Sequence, residues 1–159
     1  MKTILFVCTA NICRSPMAAG IMRRRIAELG LADQVQVLSA GVWAQEGQGA
    51  SRYAVKVLGQ RNCDLSGHRS RQVTPELLDQ ADIVLVMEEA HRRSLFYLSP
   101  QHLGKIFLLA EMAGEYQEVA DPFGGPIEGY EETADLLERL IEAGLPRILK
   151  RLSINTSGA

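Results

Sequence analysis

Hydrophobic residues form short continuous runs along the chain, and these runs alternate with longer stretches of helical spacing. Three runs of four apolar residues have the composition of strands that are buried on both faces: residues 4–7, 83–86 and 106–109. Residues 35–37 alternate between apolar and polar side chains and lead into Ser39-Ala40-Gly41. The pattern therefore predicts four strands.

Between these strands, apolar residues recur every three or four positions, as on one face of an amphipathic helix. The segments with this spacing are residues 18–29, 50–58, 88–98 and 130–152, with a shorter one after Thr74. Strands that alternate with helices predict parallel βαβ units, with helices covering both faces of the sheet. The expected fold is therefore of the α/β class.

Several residues mark where the helices should begin and end. Ser15-Pro16 and Thr74-Pro75 each combine an N-cap residue with proline at the first helical position. Gly30 should end the first long helix, and Pro146 is expected to break or kink the last one. We expect one domain over residues 1–152 and a flexible tail over residues 153–159.

Charge and cysteine content exclude several classes of function. The 17 Lys and Arg residues against 19 Asp and Glu give a net charge of −2, which argues against a nucleic-acid partner. Three cysteines are too few for a disulfide scaffold and suggest free thiols in a reducing compartment. The apolar start is too short for a signal peptide or a membrane span. We therefore expect a cytoplasmic protein with no membrane partner, and favour a monomer.

The loop after the first strand, residues 8–15, carries the chemistry. Ligands of such folds bind at the carboxyl ends of the strands, and a loop of this length can form a nest of inward backbone N–H groups. Cys8 would lie at the base of that nest, whose positive field favours a nucleophilic thiolate. Arg14 can bind two phosphoryl oxygens with its planar guanidinium. The other expected phosphate-binding residues are Thr9, Ala10, Asn11, Ile12, Cys13 and Ser15.

Residues 7–16, Val-Cys-Thr-Ala-Asn-Ile-Cys-Arg-Ser-Pro, resemble the signature of the low-molecular-weight protein tyrosine phosphatases, in particular the bacterial subgroup. Ser39-Ala40-Gly41, residues 67–74 and residues 121–125 (Asp-Pro-Phe-Gly-Gly) follow in the order of that family. The resemblance covers nearly the whole chain, to about Leu152. It implies a three-layer sandwich with a four-stranded parallel sheet of order 2-1-3-4.

The resemblance also implies roles for individual residues. Cys8 would form a phosphocysteine intermediate, Arg14 would hold the phosphoryl oxygens, and Asp121 would act as general acid and then as general base. Ser15 would hydrogen-bond the sulfur. The substrate would be a phosphorylated protein or peptide, the product would be phosphate, and no cofactor or metal would be needed.

Further residues are expected to support the loop or to contact the substrate. The resemblance implies that Asn11, Ser39 and His68 hold the strained loop backbone. Trp43 and Phe123 are candidates for an aromatic wall beside the substrate ring, although Trp43 could equally be a half-buried surface residue. The family usually has glycine at the position of Ala10, so a methyl group must fit beside the nest.

Other clusters have simpler interpretations. Cys63 and His68 could be half of a metal site, but no second ligand pair with zinc-type spacing follows. The run Arg23-Arg24-Arg25 is most simply the solvated face of the first helix, with contact to an acidic peptide as the alternative. Cys13 lies in the same tight loop as Cys8, so mild oxidation is expected to give a Cys8–Cys13 disulfide.

Phosphotyrosine hydrolysis is the leading hypothesis, and three alternatives remain. Known phosphoarginine phosphatases of the family share Asp-Pro-Phe-Gly-Gly, but they carry threonine where this chain has Ile12. An arsenate reductase of this fold would need further cysteines late in the chain, and none follows Cys63. A non-enzymatic phosphopeptide-binding module is disfavoured because nucleophile, clamp and acid are all present.

Overall fold

The computed structural model describes residues 1–155, and a four-stranded parallel sheet forms its centre. The strands are β1 (Lys2–Cys8), β2 (Val35–Gly41), β3 (Ile83–Val86) and β4 (Ile106–Leu108). Their order in the sheet is β2-β1-β3-β4, and every neighbouring pair is parallel. The predicted α/β class and strand order are confirmed.

Helices cover both faces of this sheet. They are α1 (Arg14–Glu28), α2 (Arg52–Gly59), α3 (Pro75–Gln80), α4 (Glu89–Leu98), α5 (Leu109–Met112) and α6 (Ile127–Arg151). Ile4 and Phe6 of β1 pack into a hydrophobic cluster with α1, α2, α5 and α6. Leu5 and Val7 point to the opposite face and pack with α3 and α4. This alternation along one strand produces the predicted three layers.

The start of α1 differs from the sequence prediction. The helix begins at Arg14, with Cys13 in the N-cap position, so Ser15 is not its N-cap. The Ser15 hydroxyl bonds to groups of the preceding loop instead, and it is therefore not available to cap the helix. Two other signals hold: Gly30 follows the helix with φ +72°, and the Thr74 hydroxyl caps α3.

Pro146 does not break the last helix. α6 runs over 25 residues with Pro146 inside it. Pro146 is exposed, so the carbonyl that lacks its N–H partner is on the water-facing side, while buried Leu145 and Ile148 hold the helix against the core. Although α6 is long, no helix within residues 1–155 is both long and apolar enough to cross a membrane.

The first residues beyond α6 are bonded back to the helix. Ser153 adopts a left-handed conformation (φ 57°), and its N–H donates to the Lys150 carbonyl at 3.0 Å. Ile154 N–H donates to the Leu149 carbonyl at 2.9 Å, and the Ile154 side chain packs on the core. These bonds form a Schellman motif at the end of the helix, and the flexibility of the tail stays a prediction. Residues 156–159 of the predicted tail lie outside the described residues.

Candidate active site

A small cavity of about 190 Å³ opens at the carboxyl end of β1. Its volume is below the roughly 300–1,000 Å³ that is usual for drug-sized ligands, and is suited to one phosphorylated side chain. The residues that line it are Cys8, Thr9, Ala10, Asn11, Ile12, Cys13, Arg14, Asp121 and Phe123. The structure thus brings most of the predicted site residues to one place.

The backbone N–H groups of the loop after β1, from residue 9 to residue 15, are available to bind a ligand. Within residues 1–155, none of the N–H groups from Thr9 to Ser15 donates a hydrogen bond to a protein acceptor. The first of these follow β1, and the last belong to the opening turn of α1, where helical N–H groups have no intrahelical partner. A run of free N–H donors beside a helix N-terminus is an anion-binding arrangement.

Cys8 lies at the base of the cavity beside one hydroxyl group. Its thiol is almost completely buried, and Sγ lies 2.9 Å from Ser15 Oγ. Asn11 Nδ2 donates to the same Ser15 oxygen at 2.8 Å. The Ser15 hydroxyl also lies within 3.4 Å of the Ala40 carbonyl oxygen, to which it can donate. A Cys8 thiolate can only accept, so in that state the Ser15 hydroxyl donates to Sγ. Ser15 can therefore stabilise a negative charge on the sulfur.

Arg14 lines the cavity, and several hydrogen bonds hold its guanidinium group in place. Its side chain is 2% exposed and forms an ion pair with Glu88. The same nitrogen, Nη1, donates to the Val119 carbonyl at 2.8 Å, and Nη2 contacts Thr9 Oγ1 at 3.3 Å. A buried guanidinium with a carboxylate partner keeps its charge in one orientation, as a residue that binds phosphoryl oxygens requires.

His91 extends this network behind Thr9. Its Nδ1 accepts from the Glu88 N–H at 3.1 Å, so its Nε2–H donates to Thr9 Oγ1 at 2.9 Å. Burial, with a contribution from the nearby Arg14, lowers the pKa of His91 to about 4. The imidazole is therefore neutral near pH 7 and acts here as a fixed hydrogen-bond donor.

Asn11 holds the middle of the loop in an unusual conformation. Its φ is 60°, in the left-handed region that asparagine tolerates better than most residues. Nδ2 donates to Ser39 Oγ at 3.0 Å as well as to Ser15, and Oδ1 accepts from the Arg71 N–H at 3.0 Å. His68 Nε2 contacts the Asn11 carbonyl at 2.7 Å. Ser39 and His68 thus both contact Asn11, the residue of the loop that they were predicted to support.

His68 is also a neutral donor. Burial lowers its pKa despite the bond to Asn11, and the charges of Arg23, Arg69 and Arg71 lower it further. A carbonyl can only accept, so the neutral ring donates its Nε2–H to Asn11. This geometry supports the backbone and leaves His68 outside the cavity lining, consistent with a structural role.

Asp121 approaches the cavity from a separate loop after α5. Its Oδ2 lies 3.8 Å from Arg14 Nη2, while Oδ1 accepts from the Phe123 N–H at 3.0 Å. The second contact is an Asx turn, which orients the carboxylate locally. About half of the side chain is exposed, so it can exchange protons with water.

The rim of the cavity is apolar on one side. Ile12 and Phe123 both line it, and Phe123 is 63% exposed. Trp43 does not line it, although its backbone N–H donates to the Thr9 carbonyl at 2.9 Å. The Trp43 side chain is 83% exposed, so it is neither a cavity wall nor a half-buried surface residue in this conformation.

Gly41 explains why β2 can lie against the loop. A Cβ atom at this position would be 2.4 Å from the Thr9 carbonyl oxygen, which is too close for any side chain. Ala10, where the family usually has glycine, is accommodated with its methyl group partly exposed at the cavity. The family resemblance includes Gly41 in Ser39-Ala40-Gly41, but this role could not be predicted from the sequence.

Cys13 and Cys63 occupy separate environments. Cys13 Sγ lies 3.2 Å from Ser51 Oγ and 3.5 Å from the Tyr130 hydroxyl, and burial raises the pKa of its thiol. All three cysteines are free, and the expected Cys8–Cys13 disulfide stays a prediction. Cys63 lies 3.6 Å from Arg24 Nη1, and within residues 1–155 no three metal-ligating side chains lie together.

Sequence reasoning missed Glu88 and His91, which position Arg14 and Thr9. A signal for them was present, because both follow β3 and its carboxyl end lies beside that of β1. The pairing of Arg14 with Glu88 joins residues that are 74 positions apart, so spacing along the chain could not reveal it. The same holds for Ser51 and Tyr130 around Cys13.

Comparisons with known proteins agree with this geometry. The profile of the family "Low molecular weight phosphotyrosine protein phosphatase" matches residues 3–154. A low molecular weight protein-tyrosine-phosphatase of Escherichia coli K12 is 36% identical over 138 residues, which is 87% of this chain and 89% of that protein. A protein-arginine-phosphatase of Geobacillus stearothermophilus is 42% identical over 140 residues, covering 87% and 90% of the two chains.

A solved structure gives the same result. The crystal structure of a low molecular weight protein tyrosine phosphatase from T. tengcongensis superposes with a TM-score of 0.88 at 42% identity. The match covers 92% of this chain and 99% of that chain. Sequence and structure therefore agree over the same region, and the chain belongs to the low molecular weight phosphotyrosine protein phosphatase family.

Proposed function

We propose that this protein is a phosphatase that hydrolyses phosphotyrosine in proteins or peptides through a phosphocysteine intermediate, without a cofactor. The observation that carries the proposal is the arrangement of three groups around one cavity. Cys8 lies at its base among free N–H donors, buried Arg14 faces it, and the half-exposed Asp121 carboxylate lies 3.8 Å from Arg14. These are a nucleophile, an oxyanion clamp and a candidate proton donor.

In the first step, the Cys8 thiolate attacks phosphorus and forms the S–P bond while the P–O bond to the substrate breaks. The loop N–H groups and Arg14 stabilise the negative charge on the phosphoryl oxygens. Protonated Asp121 gives its proton to the leaving phenolic oxygen, which departs as tyrosine.

In the second step, the Asp121 carboxylate takes a proton from water, and the water oxygen attacks phosphorus. The S–P bond breaks, inorganic phosphate is released, and Cys8 regains its thiolate. Ser15 stabilises this leaving sulfur through the hydroxyl group 2.9 Å away. An arsenate reductase of this fold would need further cysteines late in the chain, and none follows Cys63.

The apolar rim favours a phenyl ring. Ile12 and Phe123 offer hydrocarbon to the flat face of phosphotyrosine, while neither side chain can hydrogen-bond a guanidinium. Phosphoserine and phosphothreonine have short stems, so they should reach the base of the loop poorly.

Protein-arginine phosphatase activity is the second candidate. A specific observation keeps it open, since the Geobacillus stearothermophilus relative with that name is 42% identical, the same identity as the tyrosine phosphatase from T. tengcongensis. The shared Asp-Pro-Phe-Gly-Gly segment points the same way. Ile12 at the cavity wall argues against it, because threonine is expected there.

Matched peptides that carry phosphotyrosine or phosphoarginine distinguish the two activities. We expect a higher kcat/KM on phosphotyrosine for the wild-type protein, and a relative gain on phosphoarginine in Ile12→Thr. Val42→Thr, a similar exchange away from the cavity lining, is the control. A wild-type preference for phosphoarginine would replace the first candidate with the second.

The mechanism has its own test. Cys8→Ser should abolish turnover while retaining phosphate binding, because the loop N–H groups and Arg14 remain. Asp121→Ala should slow phosphotyrosine peptides by about 10²–10⁴-fold, and activated aryl phosphates much less, since only the former need a proton. Equal effects of Asp121→Ala on both substrates would remove Asp121 from the role of general acid.

We also propose a cytoplasmic location and a monomeric state. Three free thiols support a reducing compartment. Fractionation of cells and light scattering of the purified protein would test these two points, and a stable dimer in dilute solution would overturn the second.

A further inference from the structure

A second polar groove of about 370 Å³ lies beside the edge strand β2 and shares no lining residue with the active-site cavity. Four basic side chains line it: Arg23 from α1, and His68, Arg69 and Arg71 from the segment before α3. Ser39 of β2 completes its inner wall. The proposed function assigns nothing to this groove.

The arginines of the groove have no acidic partners. Within residues 1–155, no carboxylate lies within 4.0 Å of the guanidinium nitrogens of Arg23, Arg69 or Arg71. By contrast, Arg24 and Arg25, the next two residues of α1, are paired with Glu138 and Glu142. The run of three arginines is therefore divided, with one of its charges left for the groove.

These guanidinium groups also retain unused donors. Arg23 donates from Nε and Nη2 to the Val37 carbonyl, Arg71 donates from Nε to the Ser39 carbonyl, and Arg69 donates from Nη1 to the His68 carbonyl. Each arginine has five N–H donors, so at least three on each remain for another acceptor. The bonds to Val37 and Ser39 fix two of the guanidinium groups along the outer edge of β2.

The positive charges influence one another. Burial, with the nearby charge of Arg71, lowers the pKa of Arg23, and all three arginines contribute to lowering that of His68. Asp64 is the one acidic side chain that lines the groove, and its Oδ1 accepts from the Ser66 N–H. It offsets one of three positive charges, so the groove keeps a net positive potential.

We propose that this groove is a second oxyanion site that binds phosphate, either as the free ion or as a phosphoryl group on another molecule. Planar guanidinium groups with free donors match the oxygens of such an anion. Hydrogen bonding to the carbonyls of β2 would explain the positions of Arg23 and Arg71. It does not explain Arg69, which donates to the His68 carbonyl instead. Electrostatic attraction between unpaired charges and an anion accounts for all three.

Occupancy of this site would act on the catalytic loop through Asn11. Three residues that line the groove contact Asn11: Ser39 and His68 through their side chains, and Arg71 through its backbone N–H. Asn11 itself lines the active-site cavity. An anion that orders the groove should therefore stabilise the left-handed conformation of Asn11.

The site can be tested by titrating inorganic phosphate into the ¹⁵N-labelled full chain at constant ionic strength. Amide shifts of residues 9–15 report the active site, and those of residues 67–70 report the groove; the Arg71 amide is left out because it donates to Asn11. We expect two dissociation constants. Arg69→Gln should weaken the groove constant roughly five- to tenfold, as expected for the loss of a charge-assisted hydrogen bond. It should change the loop constant much less, because the groove reaches the loop only indirectly through Asn11.

Two further variants control for charge alone. Asp64→Asn keeps the acceptor for Ser66 and removes the opposing charge, so it should tighten phosphate binding in the groove. Arg93→Gln removes an exposed arginine of α4 that forms no ion pair within residues 1–155, and should change neither constant. A parallel titration with a phosphoserine dipeptide distinguishes the free phosphate ion from a phosphoryl group on another molecule. Whichever of the two ligands binds the groove more tightly is the better model of its natural ligand.

Two results would overturn the proposal. One is a single dissociation constant for both segments, which would mean that groove shifts only report binding at the active site. The other is an unchanged groove constant in Arg69→Gln. If the loop segment failed to bind phosphate, the proposed function would be contradicted, but the proposal of a second site in the groove would not be affected.

Discussion

Asn11 contributes to the site at the scale of a single residue. It combines a left-handed φ of 60° with bonds to Ser15, Ser39 and the Arg71 N–H, and it is completely buried. Few side chains other than asparagine can meet both demands, since alanine loses the bonds and is strained at positive φ. The shape of the phosphate-binding loop therefore depends on this residue.

Substitution of Asn11 should separate the contribution of its side-chain hydrogen bonds from that of its left-handed conformation. We expect Asn11→Ala to lower the free energy of unfolding by about 2–4 kcal/mol, and Asn11→Gly by about 1 kcal/mol less, because glycine accepts positive φ. Asn62, which is exposed at φ 62°, is the matched control, and Asn62→Ala should show the strain alone. Urea denaturation measures all three. Equal losses for the two Asn11 variants would contradict a strained loop.

His91 should make stability depend on pH. Its pKa in the folded protein is about 4, below the value of 6.5 expected for an unfolded chain. The unfolded state therefore binds more protons between these values, and the free energy of unfolding should fall as pH is lowered from 6.5 to about 4. The loss attributable to His91 is up to about 3 kcal/mol.

His91→Gln provides the comparison, because glutamine can still donate to Thr9 but does not titrate. Urea unfolding at several pH values should show a shallower acid dependence in the variant than in the wild-type protein. Identical slopes would mean that other groups cause the acid sensitivity.

At the scale of elements, close approach between α5 and α6 depends on Gly144. A Cβ atom there would be 2.9 Å from Met112 Cβ and 3.2 Å from its carbonyl carbon. Both elements are held by buried residues, so neither can shift without cost. Gly144 is therefore a packing residue inside a long helix that otherwise disfavours glycine.

Two glycines of α6 should respond in opposite directions to the same substitution. Gly144→Ala should destabilise the protein by about 1–3 kcal/mol through overpacking. Gly129→Ala meets no atom within 4 Å and should stabilise by up to about 1 kcal/mol through helix propensity. Thermal or urea unfolding measures both. A stabilising Gly144→Ala would indicate that Met112 moves freely.

At the scale of the whole molecule, the two faces of the sheet are covered unequally. The larger cluster joins β1 to α1, α2, α5 and α6, whereas the smaller one joins the opposite face to α3 and α4. α3 has six residues, and its buried side chains are Leu77 and Leu78. Local opening should be easier on that side, because less apolar surface holds it.

Native-state hydrogen exchange should reveal this difference. Amides of α3 should exchange through an opening of lower free energy than global unfolding, while amides of β1 and of the middle of α6 should require global unfolding. Leu78→Ala should increase exchange in α3 more than in α6, and Leu140→Ala, on the other face, should affect the whole molecule. Uniform protection across both faces would contradict the expectation.

The sequence by itself determined the four strands, the longer helices, the class of fold and the chemistry of the loop, but not the short helix α5. Buried strands and amphipathic helices follow from local patterns, since the period of apolar positions reflects which face is covered. Cys8 and Arg14 were recognisable because both lie in one short segment. The resemblance to a family then supplied the strand order and added Asp121, whose distance from the loop carries no local signal.

Only the tertiary structure decided which distant residues meet. Ser15 serves the loop and not the helix end, Pro146 is tolerated because it faces water, and Trp43 stays outside the cavity. Glu88 reaches Arg14 across 74 positions, and Arg23 joins Arg69 and Arg71 in one groove. These contacts depend on how parallel strands align their carboxyl ends and on how α1 packs beside β2. Such long-range distances are set by the assembled fold, because local spacing constrains only neighbours along the chain.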